Sequence, residues 1–359
     1  MNQPRQCDQG QSPKVKMNRT YSVAVVATMS AGKSTLLNAM IGQQLLPSQN
    51  EACTASVCRI EDRDDIPVFR GRTKDAGKCG EWMSSVTLET LQKWNAESHD
   101  EIILEGNIKM ISNTSKGCRV SFIDTPGPNN ASCEEHARIT ERIIDDADFS
   151  SIVFVINASV AGVEDEWRLL SRLQQVLPVA NKKARIIFVV NKIDLLDAGH
   201  GESVVDVLRG CAKHLTEIGF EDPTIVPVCS ELALRLRQTR MRQVPYRKSE
   251  GRPIPPNLQR RHVFESEDAP RIQARLRRQI ETFLSLRKFY RSGLKFSEEG
   301  AKALSKIDHR RGKNSERLFL GGKFFTDTDL RCAEKLSGVP ILELLLQHDL
   351  NSFSTTIKE

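Results

Sequence analysis

The residues best suited to chemistry in this sequence are Gly32, Lys33 and Ser34, which follow the apolar stretch 22–27. Their spacing matches the phosphate-binding pattern G-x-x-x-x-G-K-[ST], with Ala27 in place of the first glycine. In that pattern, backbone N–H groups at a helix start face an anion, the lysine binds the β- and γ-phosphates, and the serine hydroxyl binds Mg²⁺. The stretch therefore predicts a strand, a phosphate-binding loop and a helix. If the first position requires a positive φ, alanine is strained there.

A carboxylate follows the second buried strand that the sequence predicts. Residues 119–123 read RVSFI, and Asp124 and Gly127 come directly after them. A carboxylate at the carboxyl end of a parallel strand lies in the crevice where nucleotides bind. We therefore expect Asp124 to hold Mg²⁺ through a water and the Gly127 N–H to bond the γ-phosphate. Thr54, on a polar loop, is expected to add its hydroxyl to Mg²⁺ and to orient the attacking water with its carbonyl.

The most specific feature is the sequence Asn191-Lys192-Ile193-Asp194, which follows the apolar stretch 185–190. A carboxylate can accept two hydrogen bonds from the N1–H and the exocyclic amine of guanine, and adenine offers no such pair of donors on that edge. An aspartate here would therefore select guanine, because adenine leaves it unpaired. We expect Lys192 to lie along the base and Asn191 to tie this loop to the phosphate loop.

A fifth feature closes the series at Cys229 and Ser230, which follow the predicted strand 224–228. A backbone N–H here could reach the guanine carbonyl. All five features stand at strand-to-loop junctions in one order along the chain. This order predicts an α/β P-loop NTPase fold: a Ras-like, doubly wound, mostly parallel sheet with helices on both faces, plus a basic, partly helical insertion.

Four stretches of the sequence resemble the dynamin superfamily, in particular its bacterial dynamin-like and mitofusin-like subgroup. They are SAGKST, LLNAMIGQQLLPSQNEACTA, IDTPGPNN and AEKLSGVPILELLLQ. The resemblance covers roughly residues 20–230 and 326–348. It differs from classical dynamins at Met29, where they often carry a catalytic glutamine, and at Cys229, where a serine is usual. Pro128 follows Gly127, where small GTPases carry a glutamine.

The resemblance implies Mg²⁺-dependent hydrolysis of GTP to GDP and phosphate, activated by pairing of two GTPase domains. The implied partners are a second copy of the chain or another dynamin-like chain. Ser30, Lys33 and Thr54 are the implied catalytic residues, with Ser30 stabilising transition-state charge, in many members together with a monovalent cation. Ser34, Thr54 and Asp124 are the implied metal-binding residues. The implied nucleotide-binding residues are Ser30, Ala31, Gly32, Lys33, Ser34, Thr35, Asp124, Gly127, Asn191, Lys192, Asp194, Cys229 and Ser230.

The predicted organisation has four parts. Residues 1–19 form a polar tail, 20–230 the GTPase core, 231–325 a basic insertion, and 326–359 a closing helical segment. The long helical stalk of dynamins is not recognised, so the chain is expected to be a stand-alone module or a truncated product. No apolar run approaches the roughly 20 residues that a membrane span needs. We expect a cytoplasmic protein, with peripheral membrane association as an open alternative.

The basic excess of the chain is confined to the predicted insertion. Residues 231–320 contain 23 Lys or Arg and 10 Asp or Glu, a net charge of +13, whereas the remainder has 29 basic and 36 acidic residues, or −7. Apolar residues at helical spacing predict an amphipathic basic helix at about 270–291. It could pack on the core as a surface helix, bind anionic lipid or bind nucleic acid. A ribosome- or RNA-associated GTPase, and a module that binds GTP with little hydrolysis, therefore remain alternatives. The apolar residues of this helix are Ile272, Leu276, Ile280, Phe283 and Leu284.

Overall fold

The structure is a computed structural model of the 359-residue chain. It describes residues 19–28, 30–47, 56–108, 118–125, 149–160, 164–179, 184–196, 203–243, 274–281, 283, 317–320 and 323–355. The predictions for the tail at 1–18 and for Met29, Thr54 and Gly127 lie outside these residues.

The centre of the fold is a mixed sheet of nine strands in the order β4-β3-β5-β2-β6-β1-β7-β8-β9. Five neighbouring strands, from β6 to β9, are parallel to one another, and a short antiparallel hairpin of β10 and β11 lies apart. The strands are β1 Arg19–Ala27, β2 Val57–Asp62, β3 Arg70–Asp75, β4 Lys78–Cys79, β5 Glu101–Gly106, β6 Cys118–Asp124, β7 Ser151–Asn157, β8 Arg185–Asn191, β9 Thr224–Val228, β10 Arg317–Leu320 and β11 Lys323–Thr326.

Helices follow most of the parallel strands, because the chain must cross back over the sheet between parallel strands and a helix usually forms that crossover. Residues 193–195 form one turn of 3₁₀ helix directly after β8. The helices are α1 Lys33–Ile41, α2 Leu88–Ala96, α3 Glu164–Val179, α4 Val204–Ile218, α5 Ser230–Gln243, α6 at 274–281, α7 Asp327–Leu336 and α8 Val339–Thr355.

Both faces of the sheet are covered by helices. Along β1, Val23 and Val25 join a core with α1, α2 and α8, whereas Ala24 and Val26 join a core with α3, α4, α6 and α7. A strand buried on both faces is expected to be mostly apolar. All seven residues of β7 are buried, and the five from Ile152 to Ile156 are apolar. The predicted mostly parallel sheet with helices on both faces is confirmed.

The other side of the sheet, β2 to β5, is mixed, and the sequence patterns gave no prediction for it. Here β2 runs antiparallel to β6, and β3 pairs antiparallel with β5. The edge is polar: Arg70 donates to Glu105 at 2.8 Å and Lys74 to Glu101 at 2.8 Å across the strands. Charged pairs on an outer strand discourage another strand from pairing there.

Residues 235–262 are rich in Pro and Arg, a composition that predicts an extended or mobile loop. Helix α5 crosses the predicted domain boundary at residue 231 and includes the first part of this stretch, 235–243. For 235–243 the loop prediction was wrong, because Arg237 is not a solvated charge. Only 3% exposed, it donates to Glu343 at 2.6 and 2.9 Å and to Glu334 at 3.0 Å. It also donates to the Ala39 carbonyl at 2.6 Å, so one guanidinium joins α5 to α1, α7 and α8.

Helix α6 is the described part of the amphipathic helix predicted at 270–291. Its apolar residues Leu276, Ile280 and Phe283 are at most 1% exposed and pack into the core on the α3–α4 face. This apolar face is therefore covered by the protein itself, as the surface-helix interpretation requires. Among the helices that the structure describes, none combines the length and the apolarity needed to cross a membrane.

Replacing Arg237 should destabilise the fold strongly. Arg237→Met keeps the length of the side chain but removes the ion pairs that Arg237 makes with two buried carboxylates, and breaking a buried pair typically costs about 3–5 kcal/mol of the free energy of unfolding. Chemical denaturation followed by circular dichroism measures this loss. The control is Arg209→Gln, which removes an exposed pair with Asp206 at 3.4 Å and should cost about 1 kcal/mol or less. Equal losses in the two variants would contradict the role of Arg237.

Candidate functional site

The register of the parallel strands brings the predicted site residues to one edge of the sheet. Val25 of β1 lies opposite Asp124 of β6, and Asn191 of β8 lies opposite Asn157 of β7 and Val228 of β9. The strands end together, so the loops that follow β1, β6, β8 and β9 share the carboxyl edge. In doubly wound sheets ligands bind at this edge.

The loop between β1 and α1 has left-handed backbone at two described positions. Ser30 has φ 56°, and Gly32, the N-cap of α1, has φ 88° and ψ 28°. Ala27 lies earlier, as the last residue of β1, and is buried within the strand. Alanine at the first position of the pattern is therefore unstrained, because the loop takes its positive φ angles at Ser30 and Gly32.

Gly32 is also required for steric reasons. A Cβ added there would lie 2.4 Å from Asn191 Nδ2, closer than real Cβ contacts. The same position would lie 3.6 Å from Lys192 Cε, so the Lys192 side chain extends over the phosphate loop. The glycine thus allows the loop after β8 to lie directly against the loop after β1.

Lys33 and Asp124 form a buried ion pair between the start of α1 and the end of β6. The next residue, Thr125, donates its hydroxyl to the Val25 carbonyl at 3.0 Å and holds the end of β6 against β1. The second carboxylate oxygen of Asp124, Oδ2, is buried and accepts no hydrogen bond from the described residues. A buried oxygen of this kind, on the carboxylate that pairs with the residue before Ser34, fits Mg²⁺, which prefers oxygen ligands.

Asn191 joins the loops after β1, β8 and β9. Its Nδ2 donates to the Ala31 carbonyl at 2.8 Å, and its Oδ1 accepts from the Ser230 N–H at 3.1 Å and the Ser230 hydroxyl at 2.9 Å. Asn191 is 2% exposed, so these bonds are made away from water. The tie between Asn191 and the phosphate loop that the sequence predicts is present in the structure.

Asp194 lies in the 3₁₀ turn that Lys192 begins in a left-handed conformation, with φ 65°. A cavity of about 300 Å³ is lined by residues of this turn and of the phosphate loop and α1, among them Gly32, Thr35, Lys192 and Asp194. Cys229 borders the turn from the core. Burial, with the Asp194 carboxylate second, raises the pKa of the Cys229 thiol well above its ordinary value, so Cys229 is a neutral thiol.

Two residues of α6 that the sequence analysis did not assign to the site reach the same turn. Gln279 Nε2 donates to Asp194 Oδ2 at 2.8 Å. Arg275 lies 3.9 Å from Asp194 Oδ2 and pairs with Glu231 Oε2 at 2.5 Å. Helical periodicity found their helix, but no local pattern identifies which loop a helix some 80 residues away will contact.

Asn38 is a second residue that sequence reasoning missed. From inside α1 it accepts the N–H groups of Leu45 and Leu46 at 2.9 and 2.7 Å and donates to the Leu46 carbonyl at 2.7 Å. The buried amide thereby fixes the chain that leaves α1 towards the loop containing Thr54. The sequence did contain a signal for this role: an asparagine stands among the apolar residues of the predicted helix, and a buried amide needs hydrogen-bond partners.

Residues 23–193 match the family model described as the dynamin family. This match supports a GTPase domain similar to that of the dynamin superfamily in this part of the chain. The dynamin-family match covers the loops after β1 and β6 and Asn191 itself. It ends just before Asp194 and does not reach Cys229, Ser230 or α6.

Curated relatives of the dynamin-like chain are distant. It is 26% identical over 224 residues to the uncharacterized protein in xynA 3'region of Caldicellulosiruptor sp. (strain Rt8B.4), covering 62% of the chain and 51% of that protein. It is 25% identical over 175 residues to Dynamin-like protein A of Bacillus subtilis, covering 49% and 13%. It is 22% identical over 228 residues to the probable transmembrane GTPase FZO-like, chloroplastic, of Arabidopsis thaliana, covering 62% and 20%. The chain spans about half or less of these relatives.

Solved structures similar to the dynamin-like chain include one described as an oligomerised bacterial dynamin pair for the long range sensing and tethering of membranes. Its TM-score is 0.46 at 15% identity, covering 80% of this chain and 44% of that one. Another is Aquifex aeolicus Era bound to GDP.AlF4-, with a TM-score of 0.33 at 20% identity, covering 59% and 52%.

Asn191→Ala should destabilise the dynamin-like domain more than a matched change on the neighbouring strand. It removes three buried hydrogen bonds and leaves the Ala31 carbonyl and the Ser230 N–H without that partner, which should cost about 1–3 kcal/mol. The control is Asn157→Ala, whose Oδ1 accepts only the nearby Ser159 N–H, at 3.1 Å, among the bonds described. Its cost should be about 1 kcal/mol or less. Thermal unfolding without nucleotide compares the two, and a larger loss for Asn157→Ala would refute the bridging role.

Proposed function

We propose that this chain binds GTP at the carboxyl edge of its sheet and hydrolyses it to GDP and phosphate. The observation that supports this most strongly is the Asn191 bridge. It holds the loop after β8, with Asp194, against the loop after β1, with Gly32, across one cavity of about 300 Å³. A nucleoside triphosphate has its base at one end and its phosphates at the other, so a site for it needs these two loops side by side.

On the phosphate side, the chain supplies positive charge and backbone donors. The free N–H groups at the start of α1 and the helix dipole favour an anion there. Lys33 is the ammonium for the β- and γ-phosphates. Ser34 and Asp124, together with Thr54, would hold Mg²⁺, which when bound neutralises phosphate charge and orients the phosphates. Asp124 Oδ2 supports this assignment because it is buried without a described partner.

On the base side, Asp194 is the group that selects guanine. Its two oxygens accept the N1–H and the exocyclic amine, and Lys192, held in a left-handed turn that extends it over the phosphate loop, lies along the base. The N–H of Ser230 donates to Asn191 Oδ1 at 3.1 Å and the N–H of Cys229 donates to the Ser337 carbonyl at 2.8 Å. Both N–H groups of this pair are therefore already used inside the protein, and the role expected for them at the guanine carbonyl is not part of the proposal. A base without both donors leaves a buried carboxylate oxygen unpaired, and that penalty provides the selectivity.

Hydrolysis requires a positioned water and stabilisation of charge in the transition state. The sequence carries Pro128 where small GTPases carry a water-positioning glutamine. We assign the water to Thr54 and the transition-state charge to Ser30, an exposed residue of the phosphate loop, aided by a monovalent cation. Because Ser30 is exposed, a second copy of the chain can complete the site by pairing of the two GTPase domains.

The partner of the basic segment is not part of this proposal. The apolar face of α6 is buried in the core, so inserting it into a membrane would require it to leave the domain. Binding of anionic lipid or of RNA by the remaining basic residues stays a prediction from sequence, as does a module that holds GTP with little hydrolysis.

Asp194→Asn should weaken GTP binding by roughly 100-fold, because a charge-assisted pair of hydrogen bonds is replaced by an amide that presents a donor to a donor. The same variant should gain binding of xanthosine triphosphate, whose base offers a carbonyl where guanine has its amine. Equilibrium titration with fluorescent nucleotides measures both affinities. Asp206→Asn on α4 makes the same chemical change at an exposed position and should bind as the wild type does. Unchanged GTP affinity in Asp194→Asn would overturn the base assignment.

GTP turnover per molecule should rise with protein concentration, because pairing of two GTPase domains completes the catalytic site. Phosphate release is measured with Mg²⁺ over a wide range of protein concentrations and is compared with Lys33→Ala, which gives the background rate. Turnover that stays constant per molecule would exclude activation by pairing. Turnover equal to the Lys33→Ala background would favour the binding-module alternative.

A further inference from the structure

Gln279, a residue of the basic insertion predicted at 231–325, contacts the Asp194 carboxylate from the core side. Gln279 of α6 places Nε2 2.8 Å from Asp194 Oδ2. Gln279 itself is 5% exposed, and its helix is anchored on either side by Leu276 and Ile280, at 1% and 0% exposure. The amide is therefore held in place by packing and does not reach Asp194 by chance rotation at the surface.

The orientation of the Gln279 amide follows from chemistry. A carboxylate only accepts hydrogen bonds, so the NH₂ group must face Asp194, and the amide oxygen must point away. That oxygen, Oε1, is buried and accepts no hydrogen bond from the described residues. Presenting the NH₂ group to Asp194 therefore leaves the Gln279 oxygen buried without a described partner, which costs stability. A cost of this kind indicates that the bond to Asp194 has a role.

The other neighbour of Asp194 on the core side is a poor donor. Cys229, with its thiol hydrogen retained by a raised pKa, offers a weak S–H to the carboxylate. Arg275 is partly exposed, lies 3.9 Å away and is drawn to Glu231 at 2.5 Å. Gln279 is therefore the strongest described hydrogen-bond donor to the Asp194 carboxylate.

We propose that Gln279 is a positioning residue for guanine selection, which fixes the plane of the Asp194 carboxylate from the core side so that both oxygens meet the base. This inference rests on the proposed GTP site and adds the determinant that orients its selective group. It also makes α6, within the segment interpreted from sequence as a basic insertion, a structural part of the nucleotide site.

The position of Gln279 indicates that its amide supports the Asp194 carboxylate and does not compete with a bound base for it. Asp194 and Arg275 line the cavity between the two loops, whereas Gln279 is not among its lining residues. Gln279 instead approaches with α6 from the core that contains Leu276 and Ile280. Each carboxylate oxygen has two acceptor positions, so Oδ2 can accept Gln279 from the core and a base donor from the cavity at the same time.

The test compares guanosine diphosphate (GDP) with inosine diphosphate (IDP), which keeps the N1–H and lacks the exocyclic amine. Gln279→Leu removes the donor at similar size, and Gln279→Glu keeps the shape but places a second acceptor against Asp194. We expect GDP affinity to fall about tenfold in Gln279→Leu, and further in Gln279→Glu, with a smaller loss for IDP. The GDP-to-IDP preference should therefore shrink. Arg278→Gln, an exposed change on the same helix, should leave both affinities at wild-type values.

The outcomes separate this inference from the proposed function. If the wild-type chain shows no preference for GDP over IDP and ADP, the guanine assignment itself fails. If the wild type prefers GDP and both Gln279 variants keep that preference, the positioning role is overturned. Equal losses for GDP and IDP would reduce Gln279 to structural support, and tighter GDP binding in Gln279→Leu would show that the amide competes with the base. Should Gln279→Leu fail to fold, Gln279→Glu decides.

Discussion

The side-chain amide of Asn191 is the interaction on which the site depends. It is one of few groups that can donate to one loop and accept from another at once, and it uses both capacities, on Ala31 and on Ser230. The contact is possible only because Gly32 has no Cβ. Parallel strands bring three loops to one edge, but the register alone would leave them independent. The Asn191 bridge converts them into one surface with a fixed separation.

A second constraint acts on the helix behind the phosphate loop. Arg237 donates to the Ala39 carbonyl of α1 and to Glu334 of α7 and Glu343 of α8. The two glutamates lie about a hundred residues after Arg237 in the chain. Cys229 donates its N–H to the Ser337 carbonyl at 2.8 Å, and the left-handed Gly338 lies so close to the Pro227 carbonyl that a Cβ would clash. The segment after 326 thus packs on β9 and α1 and supports the site from behind.

The sequence predicted the parts of the site that are local. A strand, a loop with a glycine and a helix start are specified within about ten residues, so the loops containing Lys33, Asp124 and Asn191 could be recognised one by one. Their common edge followed from the rule that parallel strands place their carboxyl ends together. The prediction failed where a partner is distant in sequence. Pro- and Arg-rich composition predicted an extended or mobile loop at 235–262, whereas 235–243 is helical. The helix was missed because nothing local reveals that Glu334 and Glu343 will pair with Arg237.

The same argument explains why the role of α6 could not be assigned from its own sequence. Amphipathic periodicity states that one face of a helix is apolar, and it does not state what covers that face. In the structure the cover is the core beside the 3₁₀ turn, and burial of Leu276 and Ile280 brings Gln279 to Asp194. Arg275 of the same helix lines the cavity and pairs there with Glu231. Any event that displaces α6 would therefore remove the Gln279 donor from Asp194, the carboxylate that we propose selects guanine.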